Sequence, residues 1–290
     1  MLRHGYVKSP VHWHEYQDKR FRGIWIVQNP MKKPDLCVYY AHGGGFSMGS
    51  SYFYLEFLLS WLDLLKKAGY DNPSIFALEY TLVPDNSFPK QIEEAIAGYE
   101  HVLLTVGDSR RVCVSGDSAG ATIILSLLLH LANMDRHVDM IDRVAKWRLA
   151  KPTLAVLISP WVTLVSDRHH NTRSDYLDTR HLHIYAQEYS GDGTSSDDPL
   201  LSPGRCRDVS WWYRACPPQG LFVAYGNEEV FAPDIEDLVW FWRRNGINVS
   251  GQGQYGGIHA WPIASLFLSS EPNRRLEGLK ALVQKIKETI

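Results

Sequence analysis

The pentapeptide Gly116-Asp117-Ser118-Ala119-Gly120 stands between a β-branched run, Val112-Cys113-Val114-Ser115, and an apolar run at 122–131 with helical spacing. A serine on such a strand-to-helix turn projects its hydroxyl clear of the chain, as a nucleophile requires. The flanking glycines have a steric reason, because side chains at 116 and 120 would collide with neighbouring elements. The following helix points its positive end at any oxyanion that develops, and the Ala119 N–H is placed to donate to it. A second set of donors is offered by His42-Gly43-Gly44-Gly45-Phe46, directly after the apolar run 36–41. Three successive glycines leave backbone N–H groups unshielded, and each such donor lowers an acyl-transfer barrier by about 3 kcal/mol. The Walker lysine and the spaced dinucleotide fingerprint are both absent, which argues against a phosphate cradle.

A serine hydroxyl attacks only when a base removes its proton. His130, His137, His169, His170, His181, His183 and His259 all follow Ser118. Only His259 lies beyond the last strand-like run, in the glycine-containing loop Tyr255-Gly256-Gly257-Ile258-His259-Ala260-Trp261.

The elements that must position these groups alternate along the chain. Strand-like runs fall at 23–27, 36–41, 74–80, 111–115, 154–159, 221–225 and 249–255, and helical spacing fills 54–68, 90–105, 119–133, 234–245 and 275–290. Near-continuous apolar strands such as Leu154-Ala155-Val156-Leu157-Ile158 predict an α/β fold, a largely parallel sheet with helices on both faces. Lys66 and Lys67 followed by Gly69 mark a helix end. Residues 163–218 break the rhythm, being polar and rich in His, Asp, Arg and Ser. They read as a small cap inserted into a single domain, 1–290, and their aromatic residues Tyr176, Tyr185, Tyr189, Trp211, Trp212 and Tyr213 suit the cover of a binding cleft.

Bulk properties exclude several classes. Apolar residues make up 45% and charged residues 21%, a balance that supports a folded core rather than disorder. Thirty basic and 32 acidic residues leave a net charge of −2 without a basic run, so neither nucleic acid nor an anionic lipid surface is an expected partner. No apolar stretch is long enough for a membrane span, and residues 1–10 carry Arg3, His4 and Lys8 without an apolar block, so no leader is read and a cytoplasmic protein is expected. The four cysteines, at 37, 113, 206 and 216, are read as free thiols. The pairs His169-His170 and His181-x-His183 lack a carboxylate or cysteine at ligand spacing, so they are read as solvated side chains and no metal is assigned.

Taken together, His42-Gly43-Gly44-Gly45-Phe46 and Gly116-Asp117-Ser118-Ala119-Gly120 resemble the hormone-sensitive-lipase family of α/β-hydrolase fold esterases. The segment Tyr80-Thr81-Leu82-Val83-Pro84-Asp85-Asn86-Ser87-Phe88-Pro89 is similar to that family's Tyr-x-Leu-x-Pro-Glu-x-x-Phe-Pro stretch. Ser159-Pro160-Trp161 resembles its post-strand turn, and Asp198-Pro199-Leu200-Leu201-Ser202-Pro203 the stretch closing its cap. The resemblance covers about residues 24–270. It implies the α/β-hydrolase fold, an oxyanion hole formed by Gly44, Gly45 and Ala119, and a structural His42 that anchors the glycine loop. It also implies the chain order serine, acid, histidine, with His259 matching the Gly-x-x-His-x-Phe pattern apart from Trp261.

At the family's acid, normally Asp, this chain has Glu229, within Asn227-Glu228-Glu229-Val230-Phe231. Glutamate can orient an imidazole as aspartate does, and Glu228 is the competing candidate. Asp234 is read as a helix N-cap or as a second acid that stabilises the loop. Phe46, Trp161 and Trp212 are expected to contact substrate. The implied reaction is hydrolysis of a short-to-medium acyl ester, such as an acetylated metabolite or sterol, through an acyl-enzyme and without a cofactor. An amidase or formamidase would use the same triad, while a receptor on this scaffold would lack the base or the nucleophile, and both are in place here. The small-molecule ester is the expected partner, and a homodimer is compatible with the sequence. The family often carries a longer N-terminal segment, whereas only residues 1–41 precede the glycine loop, so either the cap is more open or the natural product begins before Met1.

Overall fold

The computed structural model describes residues 11–134 and 149–290. Residues 1–10, where no leader is expected, and His137, one of the histidines that follow Ser118, lie outside the described residues. Eight strands form one sheet: β1 (His12–Gln17), β2 (Arg22–Val27), β3 (Leu36–Ala41), β4 (Pro73–Glu79), β5 (Val112–Asp117), β6 (Leu154–Ile158), β7 (Leu221–Gly226) and β8 (Val249–Gln254). Their spatial order is β1-β2-β4-β3-β5-β6-β7-β8. The pairs β1/β2 and β2/β4 are antiparallel and every other pair is parallel. The α/β-hydrolase fold that the resemblance implies is therefore the fold of the chain.

Both faces of the sheet are covered, and β3 shows how. Cys37, Tyr39 and Ala41 face one apolar cluster while Leu36, Val38 and Tyr40 face the other, and all six are fully buried. A strand with both faces buried has no polar side to show, which is why β3 and β6 read as continuous apolar runs. Helix α1 (Leu55–Ala68) packs on the Tyr40 side. Its end at Gly69, with φ 114°, is where the lysines and glycine predicted it. Helices α2 (Lys90–Val106) and α3 (Ala119–Met134) pack on the opposite face. In α3, apolar residues surround the axis through residue 129, interrupted by the buried hydroxyls of Thr122 and Ser126, and the half-buried His130 and Asn133 come only towards its end, as suits a helix wrapped by other elements.

Residues 163–218 divide between two structural settings. Helix α4 (Thr179–Ser190) overlies the cleft, with Leu182 and Tyr185 among the cleft-lining residues. Helix α5 (Val209–Ala215) belongs to the body instead. The Trp211 Nε1 donates to the Leu129 carbonyl of α3 at 2.7 Å, and Trp212 is wholly buried with its ring edge-on to Trp242 at 4.9 Å. Helices α6 (Ala232–Arg244), α7 (Trp261–Leu268) and α8 (Glu277–Thr289) complete the layers. Strand β1 escaped the sequence reading because His-Trp-His-Glu-Tyr-Gln has no apolar run; it is an exposed edge, specified by its ladder with β2. Among the described residues, no helix is long and apolar enough to cross a membrane.

Candidate active site

Ser118 stands between β5 and α3 with φ 52°, in the left-handed region that a non-glycine residue rarely occupies. The turn is held from both sides. The Ser118 N–H donates to the Ile158 carbonyl at 2.9 Å, and the Ser118 carbonyl accepts from Trp161 N–H and from Thr122 N–H, each at 3.2 Å. A Cβ at Gly116 would stand 2.6 Å from the Gly120 carbonyl carbon, and one at Gly120 would strike the Ala41 carbonyl. The glycines of the elbow are thus demanded by contact with each other and with β3.

The glycine loop leaves β3 with positive φ at Gly44, Gly45 and Phe46. Among the described residues, the amides of Gly44, Gly45 and Ala119 donate to no backbone carbonyl outside regular elements. Gly44 and Gly45 line the cavity that contains Ser118. A buried carboxylate holds this loop to the elbow. Asp117 accepts from Gly43 N–H at 2.8 Å, from the Tyr40 hydroxyl at 2.5 Å and from the Tyr54 hydroxyl at 2.8 Å. Burial pushes the Asp117 pKa up, although the two tyrosine hydrogen bonds, His42 and His259 all favour its charged form. His42 stacks on Tyr80 at 4.5 Å between ring centroids, its carbonyl accepts from the Tyr80 hydroxyl, and burial lowers its pKa, so it remains a neutral anchor.

His259 follows β8, is 3% exposed, and has Phe231 edge-on at 5.1 Å and Tyr176 at 5.9 Å. Its Nδ1 lies 3.8 Å from Glu229 Oε1, an ion-pair distance too long for a hydrogen bond. Such contacts often tighten when substrate is bound. The other Glu229 oxygen accepts from the Ser159 hydroxyl at 2.6 Å and from Gly226 N–H at 3.0 Å, and Ser159 Oγ accepts from Ala260 N–H at 2.9 Å. Ser159 therefore joins the carboxylate to the residue after the histidine. Burial disfavours the imidazolium, yet Glu229, Asp175 and Asp117 outweigh it and hold the His259 pKa above its ordinary value. Glu228 faces away: its carboxylate accepts from the Ser174 hydroxyl.

Ser118 and His259 line one cavity of about 310 Å³. Its floor includes Gly44, Gly45 and Asp117, and its walls include Met48, Tyr54, Leu182 and Tyr185. A larger cleft, about 540 Å³, opens between the loop 254–258 and α7, but neither Ser118 nor His259 lines it. Chemistry rather than size therefore selects the smaller cavity.

A family model described as α/β hydrolase fold matches residues 38–263. The chain belongs to this family. This α/β hydrolase is 28% identical over 241 residues to an acetyl-hydrolase of Streptomyces hygroscopicus, covering 82% of this chain and 71% of that protein. It is 27% identical over 238 residues to a provisionally named steryl acetyl hydrolase of Schizosaccharomyces pombe, covering 78% of this chain and 59% of the relative, so it spans less than two thirds of that protein. Among solved structures, an esterase from the bacterial hormone-sensitive lipase family superposes with a TM-score of 0.77 at 22% identity, covering 98% of this hydrolase and 86% of that chain.

Several expected residues stand elsewhere in this hydrolase. Trp212 is a core residue, its Nε1 donating to the Cys206 carbonyl at 3.0 Å, and it does not reach the cleft; helix α5 turns it toward α6. Phe46 and Trp161 are also fully buried, Phe46 stacked on Tyr189 at 3.6 Å and Trp161 on Phe231 at 5.4 Å, so they back the cleft instead of lining it. Asp234 lies in the first turn of α6, whose N-cap is Phe231, and is not the cap. His169 is buried rather than solvated, with Nε2 3.1 Å from Asp234 Oδ2, whereas His170 is exposed.

Asp117, Tyr40, Tyr54, Ser159 and Asp175 also hold the site and are not among the residues expected from the sequence. For Asp117 a signal existed, an acid at the end of an otherwise apolar strand.

Proposed function

We propose that this α/β hydrolase is a serine carboxylic-ester hydrolase that works through an acyl-enzyme. The observation that carries the reading is the meeting, around one small cavity, of Ser118, His259 and glycine-loop amides that donate to no backbone carbonyl among the described residues. His259 takes the Ser118 hydroxyl proton as Oγ attacks the ester carbonyl, and the carbonyl oxygen becomes an oxyanion held by the Gly44, Gly45 and Ala119 amides. Collapse of this intermediate expels the alcohol, which leaves with the proton from His259. Water, deprotonated by the same imidazole, then attacks the acyl-enzyme, and a second collapse returns the Ser118 hydroxyl and releases the acid. Glu229 orients the imidazole and stabilises its protonated form. None of these steps calls for a metal or an organic cofactor.

The substrate we infer is a short-chain ester, acetyl foremost, of an apolar alcohol. A cavity of about 310 Å³ with Met48, Tyr54, Leu182 and Tyr185 on its walls suits a small acyl group beside an apolar partner. The acetyl hydrolases among the relatives support the same class. The test is labelling of Ser118 by a fluorophosphonate, followed by turnover of p-nitrophenyl esters from acetate to octanoate and of the matched anilide. Labelling, with turnover highest at acetate or propionate and much lower for the anilide, is the expected result. Folded protein that takes no label would remove the enzyme, and a preference for the anilide would make it an amidase.

A further inference from the structure

The segment that follows β6 reaches the catalytic loops through residues 172–175. Thr172 Oγ1 donates to the Glu228 carbonyl at 2.8 Å and accepts from Asp175 N–H at 3.0 Å, while the Ser174 hydroxyl donates to the Glu228 carboxylate. Asp175 then uses its two oxygens on two different loops. Oδ2 accepts from Val230 N–H at 2.9 Å, next to Glu229, and Oδ1 accepts from the backbone N–H of His259 at 3.0 Å. These partners lie 55 and 84 residues further along the chain, in the loops after β7 and β8.

We propose that Asp175 is a positioning residue that binds the acid loop and the base loop into one frame and ties that frame to the segment covering the cleft. The inference rests on the reading of Glu229 as acid and His259 as base. Only a carboxylate presents two acceptors to two N–H donors; an asparagine would turn its NH₂ against one of them. With Glu229 and His259 at 3.8 Å, a small displacement of either loop decides whether their hydrogen bond closes. Misplacement of a catalytic group by about 1 Å costs on the order of 100-fold in rate.

Asp175 also acts through charge. The groups facing His259 are Glu229 from the loop after β7, Asp117 from the elbow, Asp175 and Tyr176 from the covering segment, and Asp178 and His181 in the same cavity. Removing the Asp175 charge takes away one of the carboxylates that favour the imidazolium, so His259 stays neutral to lower pH.

The experiment compares the full chain with Asp175→Asn and Asp175→Glu, using p-nitrophenyl acetate turnover against pH, thermal midpoints, and fluorophosphonate labelling of the unsubstituted protein. For Asp175→Asn, we expect kcat to fall about 10- to 100-fold with KM altered less than about threefold. The acid limb of kcat/KM should move to lower pH. Asp175→Glu restores the charge and should return the limb toward its original place. An Asp175→Asn protein that melts near the parent and keeps the parent's acid limb, or that retains kcat within about twofold, would overturn the proposal. Failure of the unsubstituted protein to label on Ser118 would instead bring down the serine-hydrolase reading itself.

Discussion

The proposed nucleophile and the proposed base of this hydrolase are held in place by different means. Around Ser118, position comes from the sheet: β3 and β5 are adjacent and parallel, glycines at 116 and 120 permit backbone contact, and Asp117 gathers three donors in a fully buried setting. Around His259, position comes from side chains reaching between loops: Ser159 to Glu229, Ala260 to Ser159, and Asp175 to Val230 and His259. A region built on ladders and close packing fails when something is added, whereas one built on single carboxylates fails when an acceptor is lost. Backbone strain is common to both, at Ser118 with φ 52° in the elbow and at Ser159 with φ 44° and Ala260 with φ 52° around His259; what differs is whether packing or single hydrogen bonds hold it.

The largest effect should come from the nucleophile. Ser118→Ala should lower kcat by about 10⁴-fold or more with little change in the thermal midpoint, because the hydroxyl does the chemistry and the fold does not depend on it. On the side held by single carboxylates, Glu229→Gln should lower kcat by about 10³-fold, and Glu228→Gln by at least about tenfold less, since Glu228 turns toward Ser174. The sign of the pH effect follows from the same geometry. Glu229 raises the His259 pKa, the base works when neutral, and activity falls as pH drops through that pKa. In Glu229→Gln the acid limb of kcat/KM should therefore move to lower pH; an unmoved limb would break the assignment.

Asp117→Ala probes the sheet side without touching the nucleophile. It strands the Tyr40 and Tyr54 hydroxyls and the Gly43 N–H in a buried site, at a cost of about 3 kcal/mol or more in stability, read as a lowered thermal midpoint. Because the glycine loop then loses its tether, kcat should fall by about tenfold as well. The smallest effect should be at the wall of the cavity. Tyr185 packs against Gly45, and Tyr185→Ala should raise kcat/KM for butyrate relative to acetate several-fold by deepening the acyl side, with stability nearly unchanged. A shift in favour of acetate would place the acyl group elsewhere in the cavity.

The difference between the two regions also explains which features were legible in the sequence. Short-range features write themselves into sequence: the glycine motifs, the apolar strands on either side and the helix that follows Ser118 are each visible within a few residues, although the contacts that demand Gly43 and Gly120, with Asp117 and with Ala41 of β3, are remote. Helix ends such as Gly69 belong to the same class. Trp212 illustrates the opposite case. Its aromatic side chain suited a cleft, but α5 packs on α3, and which face of that short helix turns inward depends on residues some 80 positions away, such as Leu129. His169 was misread for the same reason, since its partner Asp234 is remote in sequence.

What the sequence determined by itself is the serine-bearing elbow, the glycine loop and the alternating strands and helices that carry them, because each is marked by a pattern of residues close together in the chain. Only the tertiary structure decided which of two adjacent glutamates faces His259, which aromatics reach the cleft, and that Asp175 spans both loops. Those are questions of direction across the fold, and they are answered by side chains that meet only after β6, β7 and β8 have paired.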